Sequence, residues 1–289
     1  MADSSVSSSI DWCAKWQEDR QLYTIAGSAA MDTDFWNRSW TKPERWRDTL
    51  ADRCSWIVSR LPLQPDLSVL DVGCGDGALT IPIAQKVKSV TALDASPVAL
   101  QKLAAKITSG SINNIRLINL PWTQVSVGTD IVPHDIVIAS FVMATLDLRR
   151  ALPLLDAAAS RYVFIIDSVG PRYWHYPELW PTVLHREFVA APDYIYIVNA
   201  LHQFGIYADV QIGQYEAANY FTTPDEAATH ILESLKADTP EAMTTVSRYL
   251  ARKLIPERGG YCLRYSQKIA MISWDKRKAF HTRISCSNP

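Results

Sequence analysis

The spacing of apolar and polar residues changes character part-way along the chain. Between residues 11 and 61, aromatic and aliphatic residues recur at helical spacing: Trp12 with Trp16, then Trp46 with Leu50, with Ile57 and Leu61 further on. That period predicts helices. Thr41, Pro43 and Glu44 have the order of a helix start, with Thr41 or Lys42 at the cap, and Pro62 and Pro65 close the segment. From Leu67 short β-branched runs alternate with helical stretches. Strands are expected at Ser68–Val72, Ser89–Asp94, Ile115–Leu120, Asp135–Ala139 and Tyr162–Asp167, and helices at about Ala78–Lys86, Pro97–Thr108 and Arg149–Ala159. Runs such as DIVIA and YVFIID are almost continuously apolar, as strands buried on both faces are. The expected fold class is therefore α/β, a Rossmann-like, doubly wound, mostly parallel sheet.

After Asp167 the regularity weakens. Residues 171–190 are rich in aromatics and proline, Tyr194–Phe204 reads as a helix ended by Gly205, and Ala208–Tyr215 as a strand. Two helices with polar caps follow near Pro224–Lys236 and Pro240–Leu254, then a last strand at Lys268–Trp274. The organisation predicted is a disordered tail over 1–10, an N-terminal helical extension or lid over 11–66, and one domain over 67–275. A helical insertion at about 216–262 precedes the last strand, and a mobile basic tail occupies 276–289.

The chain has 289 residues, 48% hydrophobic and 20% charged, enough apolar material for a large core. Lys and Arg number 29 against 30 Asp and Glu, a formal charge of −1, which argues against a nucleic-acid partner held by phosphate contacts. Five cysteines (Cys13, Cys54, Cys74, Cys262, Cys286) form no CxxC pair and no metal-ligand cluster, so reduced thiols and no metal are expected. MADSSVSSSI lacks the features of a secretory signal, and no apolar run reaches the ~18 residues of a membrane helix. A cytoplasmic protein without a membrane partner fits these features; oligomeric state is not encoded in them.

The chemistry is carried by VLDVGCGDG, residues 69–77, between a strand and a helix. Gly73, Gly75 and Gly77 permit a tight turn and close approach of a ligand at the strand's carboxyl end. Gly73, Gly75 and Ala78 also satisfy the dinucleotide fingerprint, so a nicotinamide enzyme is the first rival. Asp71 separates the two: a fixed carboxylate there repels a pyrophosphate and welcomes a cationic ligand. Asp94, ending the next strand, can accept both hydroxyls of a ribose. Acid, glycines and acid together describe a pocket for a nucleoside whose other end is positive.

These residues resemble the first two motifs of the class I S-adenosylmethionine-dependent methyltransferases, in the small-molecule methyltransferase-domain branch, over about residues 67–167. The resemblance implies S-adenosyl-L-methionine as cofactor. It implies Asp71 near the methionine ammonium and Gly73, Gly75 and Gly77 beneath methionine and ribose. It also places Asp94 on the ribose, with Ala95 or Ser96 beside the adenine. Pro121 stands where the family often has an acid for the adenine amine, which leaves backbone groups and packing by Leu120 and Trp122. Ser140 ends the fourth strand where the sheet opens toward the methyl group, and the base-methylating Asn/Asp-Pro-Pro-aromatic motif is absent there. Ala144 and Thr145 occupy places where O-methylating relatives often carry histidines. That tilts the acceptor toward a soft or readily deprotonated nucleophile such as a thiol.

Aromatic residues outside the sheet could enclose a small-molecule substrate: Phe35, Trp36 and Trp40 before it, and Tyr173, Trp174 and Tyr176 after the fifth strand. Tyr23 and His175 are the candidate catalytic side chains. His134, His202 and His230 read as structural or surface groups, Trp46 and Trp56 as core, and Asp147 as a helix cap. Methylation of a protein or tRNA, and a binding module that retains the cofactor loop without turnover, stand as further alternatives.

Overall fold

The computed structural model describes residues 10–25, 33–41, 47–172 and 175–278. Expectations placed on Trp46, on the helix start at 42–46, on Tyr173 and Trp174, and on 1–9 and 279–289 lie outside the described residues. The helical lead-in consists of α1 (Trp12–Ile25), α2 (Thr33–Thr41) and α3 (Arg47–Val58). The alternating region follows as β1 (Ser68–Val72), α4 (Thr80–Ala84), β2 (Ser89–Asp94), α5 (Pro97–Ser109), β3 (Ile115–Asn119), β4 (His134–Ser140), α6 (Leu148–Ala158) and β5 (Ala159–Val169). Beyond it lie α7 (Tyr194–Gln203), β6 (Asp209–Phe221), α8 (Pro224–Leu235), α9 (Pro240–Lys253), β7 (Ile255–Glu257) and β8 (Gly260–Asp275).

The eight strands form one sheet in the order β3-β2-β1-β4-β5-β8-β6, with β7 paired to β8. Pairings from β3 through β5 are parallel, and β8 runs antiparallel to β5, β6 and β7. The doubly wound arrangement shows in how alternate residues of one strand enter opposite layers. Ile136 and Ile138 of β4 pack with α3 and α4, whereas Val137 and Ala139 pack with α6 and α7. Phe164 and Ile166 of β5 join the first layer, Val163 and Ile165 the second. All four of the β4 residues and most of the β5 set are fully buried. This is why these strands read as unbroken apolar runs.

Several boundaries differ from expectation for identifiable reasons. Helix α4 spans Thr80–Ala84 and not 78–86. Pro82 has no N–H to bond the carbonyl of residue 78, so the residues before Thr80 remain a turn. The last strand begins at Gly260, eight residues before the expected Lys268, because β6 and β8 continue as a paired ribbon from Asp209↔Ser273 to Phe221↔Tyr261. Residues 216–221 therefore belong to β6, and the insertion proper is 222–259. One-sided burial along this ribbon breaks the apolar run that marks a central strand. Thr223 and Thr239 cap α8 and α9 through their side chains, and proline opens each helix. The insertion has its own core of Ile231, Leu232, Val246 and Leu250 against Phe221 and Leu263.

The basic end is not loose over its first residues. Lys276 Nζ donates to the carbonyls of Asp156 (2.6 Å) and Ala159 (2.8 Å), and Arg277 pairs with Asp275 at 2.9 Å. At the other end, the Gln203 amide donates to the carbonyl of Ile10 at 2.5 Å. The helical lead-in is held to the sheet in two places. Trp16, fully buried, donates its indole N–H to the Leu146 carbonyl at 3.0 Å, and Trp56 lies flat on β6 at Gly213, where a Cβ would come within 2.4 Å of the ring.

Candidate active site

The parallel strands end at one edge, and the turn after β1 must reverse the chain within a few residues. It does so through left-handed backbone: φ is +73° at Gly73, +55° at Gly75 and +88° at Gly77. Side chains also crowd the glycines. A Cβ on Gly73 would lie 2.9 Å from Val142, on Gly75 2.8 Å from the Trp40 ring, and on Gly77 2.3 Å from Leu103. Both conformation and space require glycine here.

The two carboxylates flank this turn as expected. Asp71, 1% exposed at the end of β1, accepts the Thr80 hydroxyl at 2.6 Å. Burial pushes its pKa up to about 6, opposed by the Thr80 hydrogen bond, with the charge of Asp94 adding to the rise. Asp94 accepts the backbone N–H of Gly75 (2.8 Å) with one oxygen and that of Ser96 (2.8 Å) with the other. Burial raises its pKa as well, against those two hydrogen bonds. One buried and one half-buried carboxylate, both with their ionised forms disfavoured, make a site that gains by receiving positive charge. Cys74, between them, contributes backbone only; burial pushes its thiol far up, which removes thiolate reactivity.

Sequence reasoning missed the groups that lock the turn. Asn37 of α2 accepts the Ser96 hydroxyl at 2.6 Å, while Ser96 also caps α5 by accepting from Ala99 N–H. Ser96 is thus spent on structure, beside the adenine position but already engaged. Asn119 donates to the carbonyls of Asp94 (3.0 Å) and Ala95 (3.1 Å), tying β3 to the turn after β2. An amide at the end of a strand was the available signal. Trp122 is 4% exposed inside the α6/α7 core layer with Val125 and Ile131, so it packs from below and is no open wall for a purine; Leu120 is partly buried beside it.

The aromatic assignments need correction. Trp40 lies over Gly75, and α2 packs along α5, so Trp40 stands at the glycine turn; its helix-mates Phe35 and Trp36 meet edge-on, ring centroids 5.2 Å apart. Tyr176 is 1% exposed in the core of the insertion, its ring 6.1 Å from Tyr265, and burial raises its hydroxyl pKa to about 12. It is a packing residue.

Tyr23 and His175, 152 residues apart, do meet. The Tyr23 hydroxyl lies 2.7 Å from His175 Nε2. Trp16, Arg20 and Tyr23 share one face of α1, and the first two both donate to the Leu146 carbonyl at 3.0 Å, on the loop after β4. On the other side, His175 N–H bonds the Arg172 carbonyl at 3.0 Å and its own carbonyl accepts the Trp180 indole at 2.9 Å. Burial, aided by the Arg172 charge, lowers the imidazole pKa to about 3, so the ring is neutral. Ser140 ends β4 level with Ile166, and the next residue, Phe141, takes φ +57°. A non-glycine residue in that conformation is sterically costly. It is held by its N–H to the Ile166 carbonyl at 2.8 Å and by Arg53, 4.6 Å over its ring.

The remaining expected positions behave structurally. Asp147 caps α6 through Arg149 N–H at 2.9 Å, His134 bonds the Thr91 hydroxyl at 2.8 Å, and His185 is exposed. His202 lies edge-on to Tyr207 and His230 packs on Phe221. Among the described residues no group of three or more His, Cys, Asp or Glu is placed to hold a metal ion, and no helix is long and apolar enough to cross a membrane.

Comparison with known proteins decides what such a turn serves. Residues 69–160 match the family described as a methyltransferase domain. That stretch is about a third of the chain, and over it the protein is similar to methyltransferases. Members of this family take their methyl group from S-adenosylmethionine. A Haemophilus influenzae relative, described only as an uncharacterized protein, is 32% identical over 162 residues, 56% of this chain and 59% of the relative. The chain thus aligns with little more than half the length of that relative. The same fold is found in the YcgJ protein of Bacillus subtilis (TM-score 0.53, 12% identity, 78% of this chain and 98% of that one). It recurs in a candidate methyltransferase of Bacillus halodurans (TM-score 0.51, 13% identity, 78% and 99%). The glycine turn, Asp71 and Asp94 fit the cofactor of this family. Asp71 would hold its ammonium and Asp94 its ribose hydroxyls, on either side of the glycine turn.

Proposed function

We propose that the protein methylates a small-molecule acceptor seated beneath α1 at the carboxyl ends of β4 and β5. The observation that carries this reading is the pair of carboxylates, buried Asp71 and half-buried Asp94, on either side of a turn built from left-handed glycines. The nicotinamide reading is disfavoured by that pair, since Asp71 beside a pyrophosphate would be repulsive. S-adenosylmethionine supplies the electrophilic methyl group, and the protein supplies alignment and exclusion of water. Arg53, stacked on Phe141, is the cation available to the donor's carboxylate.

The Tyr23–His175 pair supports a soft or already deprotonated acceptor. A histidine with a pKa of about 3 is too weak a base to take a proton from an alcohol at neutral pH. The imidazole and the Tyr23 hydroxyl share one hydrogen bond at 2.7 Å, and a phenol held in this way can hydrogen-bond the acceptor and orient its nucleophilic lone pair. Tyr23 and His175 are then positioning groups. Incubation with labelled S-adenosylmethionine and metabolite extracts, followed by identification of the labelled product, tests the function directly. Between about pH 5 and 10 the rate should follow the acceptor's own ionisation. A rate set by a group of the enzyme, abolished in His175→Ala, would overturn the positioning role.

A further inference from the structure

Between β8, α9 and the segment after β5 lies a cavity of about 290 Å³, and its lining includes Arg172, Lys253 and Arg264 with a single carboxylate, Glu178. That carboxylate is engaged: Glu178 Oε1 accepts the Tyr249 hydroxyl at 2.8 Å. Outside the lining, Glu257 pairs with Arg264 at 2.7 Å. Arg172 is 8% exposed; its Nε donates to Ser168 Oγ at 2.9 Å, and its Nη2 lies 3.5 Å from Asp167 Oδ1, longer than an ordinary charge-assisted bond. Arg172 at the floor, shared with Asp167, and Lys253 and Arg264 at the mouth, the latter shared with Glu257, bring three cations to one cavity beside Tyr249 and Tyr265.

The cavity is coupled to the methyl-transfer end of the sheet through Arg172. Its carbonyl receives His175 N–H, while its guanidinium reaches back to Asp167, the residue after Ile166, which pairs with Ser140. We propose that the acceptor carries an anionic head group, a carboxylate or a phosphate monoester, that seats in this cavity on Arg172, with Lys253 and Arg264 at the entrance. The nucleophilic atom would lie at the end of β4, beside the strand that carries Asp167. The insertion, which contributes Lys253 and Tyr249 through α9, is thereby the element that selects the substrate. This rests on the methyltransferase reading.

The test uses the full chain saturated with S-adenosylhomocysteine and monitors melting temperature with phenyl phosphate, benzoate, benzamide and benzylamine, because a ligand of the native state raises it by mass action. Phenyl phosphate or benzoate should raise the melting temperature, and benzamide and benzylamine should not. Which anion is stronger identifies the head group. In the Lys253→Glu/Arg264→Glu variant, changed only at the exposed mouth, the anion's apparent affinity should fall tenfold or more while S-adenosylhomocysteine binding by calorimetry stays as in the wild type. Arg172→Met should abolish the anion response. Equal stabilisation by neutral and anionic probes, or an anion response that survives the charge reversal, overturns the proposal. Failure of S-adenosylhomocysteine to bind the wild type overturns instead the methyltransferase reading on which it rests.

Discussion

Acidification from pH 7 to pH 5 should weaken cofactor binding through Asp71 before the fold itself is affected. The carboxyl is buried and its pKa sits at about 6, against an ordinary 3.8. Near neutrality it is largely ionised, and the ionised form is the one that attracts an ammonium. At pH 5 only about a tenth remains charged, so the dissociation constant should rise about 10-fold, about 1.4 kcal/mol. The sign follows from linkage. A cation bound beside Asp71 lowers its pKa, so binding expels a proton and affinity climbs as pH rises through 6. Asp94, raised by burial, pushes in the same direction. In the free protein the effect reverses: with the folded pKa above the unfolded one, stability falls as pH rises from about 4 through 6. Asp71→Asn should therefore stabilise the free chain at pH 7 and weaken cofactor binding there. Isothermal titration with S-adenosylmethionine at pH 5, 6 and 7, repeated in buffers of different ionisation enthalpy, measures both affinity and proton release. An affinity flat over that range, without proton release near pH 6, would refute the placement of Asp71 against positive charge.

Three further outcomes follow from the same site. Asp94→Ala should weaken cofactor binding by about 1–3 kcal/mol, the loss of a charged hydrogen-bond partner, as read by calorimetry. Gly75→Ala should lower affinity tenfold or more, since its Cβ would strike Trp40 at 2.8 Å and φ is +55°. Adding Trp40→Ala should recover part of that loss, the backbone strain remaining, so a double variant no better than the single would disprove the contact. Trp16→Phe deletes the indole bond to Leu146 and should cost about 1 kcal/mol in chemical denaturation; a larger fall in methyl transfer than in stability would mark α1 as the roof of the acceptor site.

The sheet and the donor turn were legible in the sequence because they are local. Strands β1 and β2 begin and end where the apolar runs do, and the chemistry of the turn is compressed between Asp71 and Ser96. A turn that needs φ above zero three times within five residues leaves glycines in print. The ribbon of β6 and β8 was shortened because Glu216, Arg264 and Ser266 alternate with buried neighbours and break the apolar run. Helix α2 was misplaced for another reason. Its aromatic richness gave composition without direction, and only contacts between Asn37 and Ser96 and between Trp40 and Gly75 show that it closes over the donor turn.

What was hidden is long-range by nature, and that divides the molecule functionally. The donor side is held by partners such as Thr80 with Asp71 and Gly75 with Asp94, 9 and 19 residues apart. The side on which we propose the acceptor sits joins Arg20 with Leu146 and Tyr23 with His175, 126 and 152 residues apart. Each of these contacts brings a helix outside the sheet onto a loop beyond it, and no periodicity records such a meeting. A local motif can therefore name the methyl donor, while the acceptor is chosen by surfaces that exist only after folding. Changes in α1 or in the insertion can retune the acceptor without disturbing Asp71 and Asp94, because the hydrogen bonds that hold these two carboxylates come from Thr80, Gly75 and Ser96, none of which lies in either element.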